Sequence, residues 1–201
     1  CLVPRRRAHL MRGAVAFLAI VLSPRPAFAH DAFGDLGPFY ANLLHPLADP
    51  AQAVMLAGFA AVVALQPLET VRFGWALHAA AGALTVALLA MVALPTAPML
   101  VVGITAAGLG VAACAGGRLP RAAVLGLGVA AAVIAGLSAD RPIGLREAVL
   151  VTLGGALGLA ATSLLLWSLF DALRCRLGDI ACRVAGSWIA AIGIMTAALP
   201  R

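Results

Sequence analysis

Residues 73–94 read FGWALHAAAGALTVALLAMVAL, an apolar run that contains no charged side chain. A helix needs about 20 apolar residues to cross the hydrocarbon core of a bilayer, so this run has the length of a membrane span. The whole chain has the same character, with 63% hydrophobic and 11% charged residues and a mean hydropathy of +1.04. Soluble domains are about half apolar and about a quarter charged. The composition therefore predicts a membrane protein.

Similar apolar runs recur at about 50–66, 98–116, 122–139, 148–170 and 180–199. The short connectors between them concentrate proline and glycine, as in Gln66-Pro67 and in the GGRLP stretch at 116–120. Backbone groups can leave a helix only where water or protein satisfies their hydrogen bonds, so such residues cluster outside the spans. We therefore predict an all-α, polytopic fold, a bundle of six transmembrane helices.

The first 29 residues have the pattern of a secretory signal peptide with an upstream extension. Arginines occupy 5–7 and 12, residues 13–22 are apolar, and residues 27–29 read AFA, which fits an A-x-A cleavage site. We expect translation to start at Met11 and cleavage to follow Ala29. Residues 1–29 then form the leader, and residues 30–201 form the six-span membrane domain. The alternative is an uncleaved anchor.

Positive charge is concentrated in the leader, which carries five of the 14 arginines, and the chain has no lysine. The formal charge of +6 falls to about +1 from His30 onward, so we exclude nucleic acid as a partner. With a cleaved leader, the loops on the inner side carry six arginines and the outer segments carry three, in agreement with the positive-inside rule. This predicts a bacterial inner-membrane protein whose mature N-terminus is periplasmic.

The stretch before the first span carries a candidate site and a helix cap. Asp49 precedes Pro50 and lies three residues before Gln52, which predicts an N-cap, a first helical residue and a capping-box partner. His45 lies four residues before Asp49, and Pro46 between them places the two residues on different backbone geometries. The two side chains can still converge across a turn, so both are candidate metal ligands.

Other candidate ligands are His30, Asp31 and His78. A terminal His30 beside Asp31 presents an amine, an imidazole and a carboxylate, which suit a divalent transition metal, although a residue at a new terminus can equally be mobile and solvated. His78 is expected about five residues into the second span, on the cytoplasmic side. An ionisable residue within a span is commonly functional, but one hydrogen bond to a neighbouring helix would also satisfy it.

Glycines within the spans predict close packing. Gly154 and Gly158 form a small-xxx-small pair, which lets two helices approach closely in lipid. The chain contains no G-x-S-x-G, H-E-x-x-H or P-loop motif, so we predict that it is not an enzyme.

Three stretches resemble the HupE/UreJ family of hydrogenase and urease accessory membrane proteins. They are AHDAFGDLGPFY at 29–40, LLHPLADPAQAV at 43–54 and CRVAGSWIAAIGIMTAAL at 182–199. The resemblance implies a permease for nickel or cobalt that supplies metalloenzyme maturation, with no permanently bound cofactor. His45 and Asp49 are the positions that match the family motif. The chain departs from the family in lacking a histidine after Asp49 and in the middle stretch AAVIAGLSADRP.

These departures leave alternatives open. The chain can be a membrane accessory or scaffold protein that has lost its metal site, or a transporter of another small solute. Besides the lipid bilayer and a divalent metal ion, a second copy of the chain and metalloenzyme-maturation proteins are the expected partners.

Overall fold

The computed structural model describes residues 36–92, 94–139, 142 and 144–198, and these form an all-α fold, as predicted. In chain order the helices are α1 Gly37–Ala48, α2 Pro50–Ala64, α3 Leu68–Met91, α4 Met99–Ala115, α5 Arg121–Gly136, α6 Leu145–Leu177 and α7 Ile180–Ala198. No strand occurs within these described ranges. The leader, its cleavage site, His30 and Asp31 lie outside them.

Proline and glycine set the helix ends. Pro67, Pro98 and Pro120 are the N-cap residues of α3, α4 and α5, where the chain leaves an extended conformation and needs no backbone donor. Gly116 ends α4 with a φ of 69°, in the left-handed region that favours glycine. Each predicted apolar run consequently corresponds to one helix, from α2 to α7.

Fewer than the predicted six helices are long and apolar enough to be membrane spans. Three helices are long and apolar enough to cross a bilayer, namely α3, α6 and α7, with 24, 33 and 19 residues. The pair α1 and α2, bent by 65° at their junction, is a fourth span if it is counted as one. Helices α4 and α5 have only 17 and 16 residues; Pro98 and Gly116 bound α4, and Pro120 precedes α5. By length and composition, the described residues thus contain three helices that could cross a membrane, or four if the bent pair is one span.

The outer surface of the bundle is apolar, as a lipid-facing surface requires. Met91 and Leu145 are each 82% exposed and Trp188 is 68% exposed, along with many leucines, isoleucines and valines. Soluble monomers rarely expose contiguous apolar patches of this extent. The buried polar side chains lie inside the bundle instead, which is the arrangement expected in a bilayer.

Helices α2 to α7 alternate in direction. Gln52 of α2 bonds to Ala135 near the end of α5, so these two helices are antiparallel. In α3 and α6, His78 meets Ser163 while Gly82 meets Leu159, so this pair is antiparallel too. The connections α2–α3, α4–α5 and α6–α7 therefore lie at one end of the bundle, and α3–α4 and α5–α6 lie at the other.

Glycines seven residues apart join α4 to α7. A Cβ built on Gly103 or Gly110 would overlap the backbone of α7, and one built on Gly186 or Gly193 would overlap the backbone of α4. Without these side chains the two helix backbones touch, and van der Waals packing replaces the hydrophobic drive that lipid does not provide.

Helix α1 packs against α6, and its existence was not predicted. A Cβ on Gly154 would overlap the carbonyl of Phe39, and one on Gly158 would overlap the carbonyl of Leu43. The predicted role of this glycine pair in close packing is confirmed. Pro46 lies inside α1, and the chain bends at Asp49 before α2 begins. The stretch before the first span is therefore helical, whereas the sequence analysis treated it as a turn.

Candidate functional site

Asp49 lies at the break between α1 and α2 and caps α2. Its Oδ1 accepts hydrogen bonds from the backbone N–H groups of Ala51, at 2.9 Å, and Gln52, at 3.3 Å. Its own N–H donates to the carbonyl of His45 at 2.9 Å. The predicted N-cap and the different backbone geometries of His45 and Asp49 are confirmed.

The expected capping-box role of Gln52 is wrong. Its side-chain Nε2 donates to the carbonyl of Ala135 on α5, at 3.2 Å, inside the bundle. The physical reason is the unpredicted helix α1, whose His45 carbonyl already accepts the Asp49 N–H. The Gln52 side chain therefore bonds to α5 and links the start of α2 to the end of α5.

A small crevice opens beside this break. Its volume is about 10 Å³, enough for roughly one water molecule. Polar groups reach it from α1 and α2, and small or apolar residues close it on α3, α5 and α6. It is lined by Asn42, His45, Pro46, Gln52, Val86, Ala135, Gly136, Ala139, Gly155 and Leu159. We call this feature the crevice.

His78 lies at the centre of the bundle and is completely buried. Its Nδ1 is 2.8 Å from the carbonyl oxygen of Gly128 on α5, and its Nε2 is 2.8 Å from the Ser163 hydroxyl on α6. The Phe59 ring stacks on it at 4.5 Å between centroids. The predicted position about five residues into the helix is wrong, because α3 begins at Leu68, before the apolar run, and His78 falls near the middle of the helix. Its place on the cytoplasmic side stays a prediction.

The Gly128 carbonyl fixes the tautomer of a neutral His78. A carbonyl oxygen can only accept, so Nδ1 carries the proton and donates to it. Nε2 is then unprotonated and accepts a hydrogen bond from the Ser163 hydroxyl. Histidines that ligate metals commonly donate their other ring N–H to a carbonyl in this way, which orients the ring and its free nitrogen.

Residues of α3, α5 and α6 form successive layers from the crevice to His78, and we call this stack of layers the column. The polar layer consists of His78, Gly128 and Ser163. Four residues away on each helix, Gly82, Ala132 and Leu159 form the apolar layer, where a Cβ on Gly82 would overlap the Leu159 side chain and contact Ala132. Another four residues on, Val86, Gly136 and Gly155 line the crevice. The crevice and His78 are thus about two helical turns apart, roughly 12 Å.

The structure separates the predicted ligands. His45 lines the crevice, Asp49 caps α2, and His78 lies below the apolar layer. Among the residues described, no group of three or more histidine, cysteine, aspartate or glutamate side chains could hold a metal ion.

Asn42 and Ser163 were not predicted as site residues, and the predicted role of the Gln52 side chain was wrong. A buried amide next to an apolar run is a recognisable signal, and Gln52 is only 3% exposed. Ser163 had no such signal, because serine within a span commonly bonds to its own helix.

Comparison with protein-family models, curated proteins and solved structures finds no match for this chain. Its function must therefore be inferred from the geometry above together with the resemblance of its motifs.

Proposed function

We propose that the chain is a six-span permease of HupE/UreJ type that carries a divalent transition metal, nickel or cobalt, across the bacterial inner membrane. The observation that carries the proposal is a crevice at a broken helix, which Asn42, His45 and Gln52 line together with apolar residues, aligned with a buried histidine two turns deeper in the bundle. The metal is the transported substrate and not a resident cofactor.

The break at Asp49 favours a cation at the crevice. Helix α1 ends there, and the C-terminal end of a helix carries partial negative charge on its last carbonyl groups. The Asp49 carboxylate lies at the same junction, where it caps α2 and offsets the partial positive charge of that helix's N-terminus. The amide oxygen of a side chain such as Asn42 or Gln52 is a ligand for cations. Secondary transporters commonly bind their ions where a spanning helix is interrupted in this way.

His45 and His78 supply the nitrogen ligands for a transition metal. Imidazole suits nickel and cobalt among the divalent metals. His45 lies in the last turn of α1, beside the crevice, and can receive the ion first. His78 can receive it next through Nε2, once the Ser163 hydroxyl turns away, because the Gly128 carbonyl keeps the proton on Nδ1.

The alternating directions of α2 to α7 support the six-span arrangement that we propose. Helices α4 and α5 are about 26 Å and 24 Å long, slightly short of a hydrocarbon core of about 30 Å. A locally thinner bilayer accommodates such helices at a modest free-energy cost. We place the end with the α2–α3, α4–α5 and α6–α7 connections in the cytoplasm and the crevice on the periplasmic side.

A second candidate is an accessory or scaffold protein of the same fold that does not transport metal. The lack of a three-residue ligand group among the described residues favours it, as does the use of Asp49 as a cap. Such a protein would act through contact with a second copy or with a metalloenzyme-maturation protein.

Uptake of radiolabelled nickel and cobalt by cells that produce the chain separates the two functions. We expect uptake by the parent chain and loss of uptake in His45→Ala at equal membrane abundance. Thr105→Ala, on the exposed face of α4, is the matched control and keeps full uptake. A correctly inserted parent chain that takes up no more metal than empty-vector cells would favour the accessory role.

A further inference from the structure

The apolar layer closes the column between the crevice and His78. Leu159 is 2% exposed, lines the floor of the crevice, and lies on Gly82 directly above the pair formed by His78 and Ser163. We propose that the Leu159 side chain is the constriction of the permeation path, and that its displacement admits the ion to His78. This inference rests on the proposed function, because it assumes a path through the column.

Among the three residues of the apolar layer, Leu159 alone has a long side chain. Gly82 contributes no side chain and Ala132 contributes one methyl group. The isobutyl group of Leu159 therefore fills the space where three helices meet. Gly82 fits this arrangement, since a Cβ at that position would occupy the place of the Leu159 Cδ2 atom.

The groups on the two sides of Leu159 fit its assignment as the constriction. The crevice above contains amide and imidazole groups and space for about one water molecule. Below it, both ring nitrogens of His78 have partners, so the polar layer needs no water while it is closed. A hydrophobic constriction blocks ions by excluding water from the path. Displacement of the Leu159 side chain would connect the crevice to His78.

Cysteine accessibility tests this assignment without relying on transport. Ser163→Cys is introduced into a chain whose four native cysteines are replaced, and a small cationic methanethiosulfonate reagent is added from the periplasmic side. We expect slow modification with Leu159 present and modification faster by on the order of tenfold with Leu159→Ala, since reaction follows the open population. Leu159→Val, with a smaller loss of volume, gives an intermediate rate and serves if the alanine variant folds poorly.

Two controls isolate the path. Leu109→Ala removes the same side chain from a fully buried position against Gly58, away from the column, and leaves the rate of Ser163→Cys modification unchanged. His45→Cys, which lines the crevice, reacts quickly whether residue 159 is leucine or alanine.

Equal modification rates in the leucine and alanine backgrounds would overturn the constriction. So would an equal acceleration by Leu109→Ala, which would indicate general loosening of the core. If Leu159→Ala accelerates modification but the parent chain takes up no metal, Leu159 is confirmed as the constriction and the proposal that the chain transports metal is wrong. If uptake depends on His45 but modification does not depend on residue 159, the permease stands and Leu159 is rejected.

Discussion

Asp49 and His45 differ in role although only three residues separate them. The Asp49 carboxylate accepts two backbone N–H groups of α2, whereas the His45 ring lines the crevice. A carboxylate that caps a helix can still contribute negative charge to a nearby cation through space. In the proposed permease, His45 is the direct ligand of the ion, whereas Asp49 shapes the break and adds negative charge to it.

Replacing Asp49 separates capping from metal binding. Asp49→Ala removes the N-cap, and we expect it to lower the free energy of unfolding by about 1 kcal/mol, with a lower melting temperature in detergent. Asp49→Asn keeps an oxygen that caps helices equally well, so stability returns to the parent value. Uptake in Asp49→Asn should fall only partly, since His45 remains. Complete loss of uptake in an Asn variant of parental stability would instead make Asp49 a direct ligand.

Helix α1 shows why close packing can create an element that sequence patterns do not indicate. Its 12 residues include Pro46 in the interior, and proline is a poor helix residue in isolation. Docking on Gly154 and Gly158 brings its backbone directly against α6. The glycine pair is recognisable in the sequence, but the helix that contacts it is not. The contact joins segments more than a hundred residues apart, and no local pattern specifies such a pairing.

Gly158→Val tests this docking. The added side chain meets the backbone carbonyl of Leu43, which cannot rotate away, so we expect α1 to separate from α6 at a cost of about 1–3 kcal/mol. Hydrogen exchange should become faster in residues 37–48, and metal uptake should fall, because α1 carries His45. Gly108→Val is the matched control, since a Cβ there meets no atom within 4 Å. Unchanged exchange in Gly158→Val would show that α1 does not depend on this contact.

For the whole molecule, the helices α2 to α7 were predictable from the sequence, whereas α1 and the contacts between helices were not. Each of the six apolar runs is a helix, but α6 extends beyond the predicted 148–170 to Leu177. Its charged last turns were counted as a loop, yet they continue the helix, with Arg174 lying 3.6 Å from Asp171 within it and 3.9 Å from Asp179 just beyond it. The bond between His78 and Ser163 joins residues 85 positions apart. Hydrophobic patterns predict where helices lie along the chain, but they do not specify which faces meet.

Arginine is unevenly distributed between the two ends of the bundle. Arg72, Arg118 and Arg121 lie at the end where α2 meets α3 and α4 meets α5, together with three arginines near the α6–α7 connection. Because arginine-rich ends stay in the cytoplasm, this end is expected to face inward.

Two single cysteines in the cysteine-free chain test both the orientation and the number of spans. Thr96→Cys lies in the α3–α4 connection and Gly117→Cys in the α4–α5 connection, at opposite ends of α4. If α4 crosses the bilayer despite its 17 residues, a membrane-impermeant maleimide added to intact cells labels Thr96→Cys and leaves Gly117→Cys unlabelled until the cells are opened. Labelling of both positions in intact cells would place both ends of α4 on the periplasmic side. The chain would then have fewer than six spans, and the column from the crevice to His78 would not lead across the membrane.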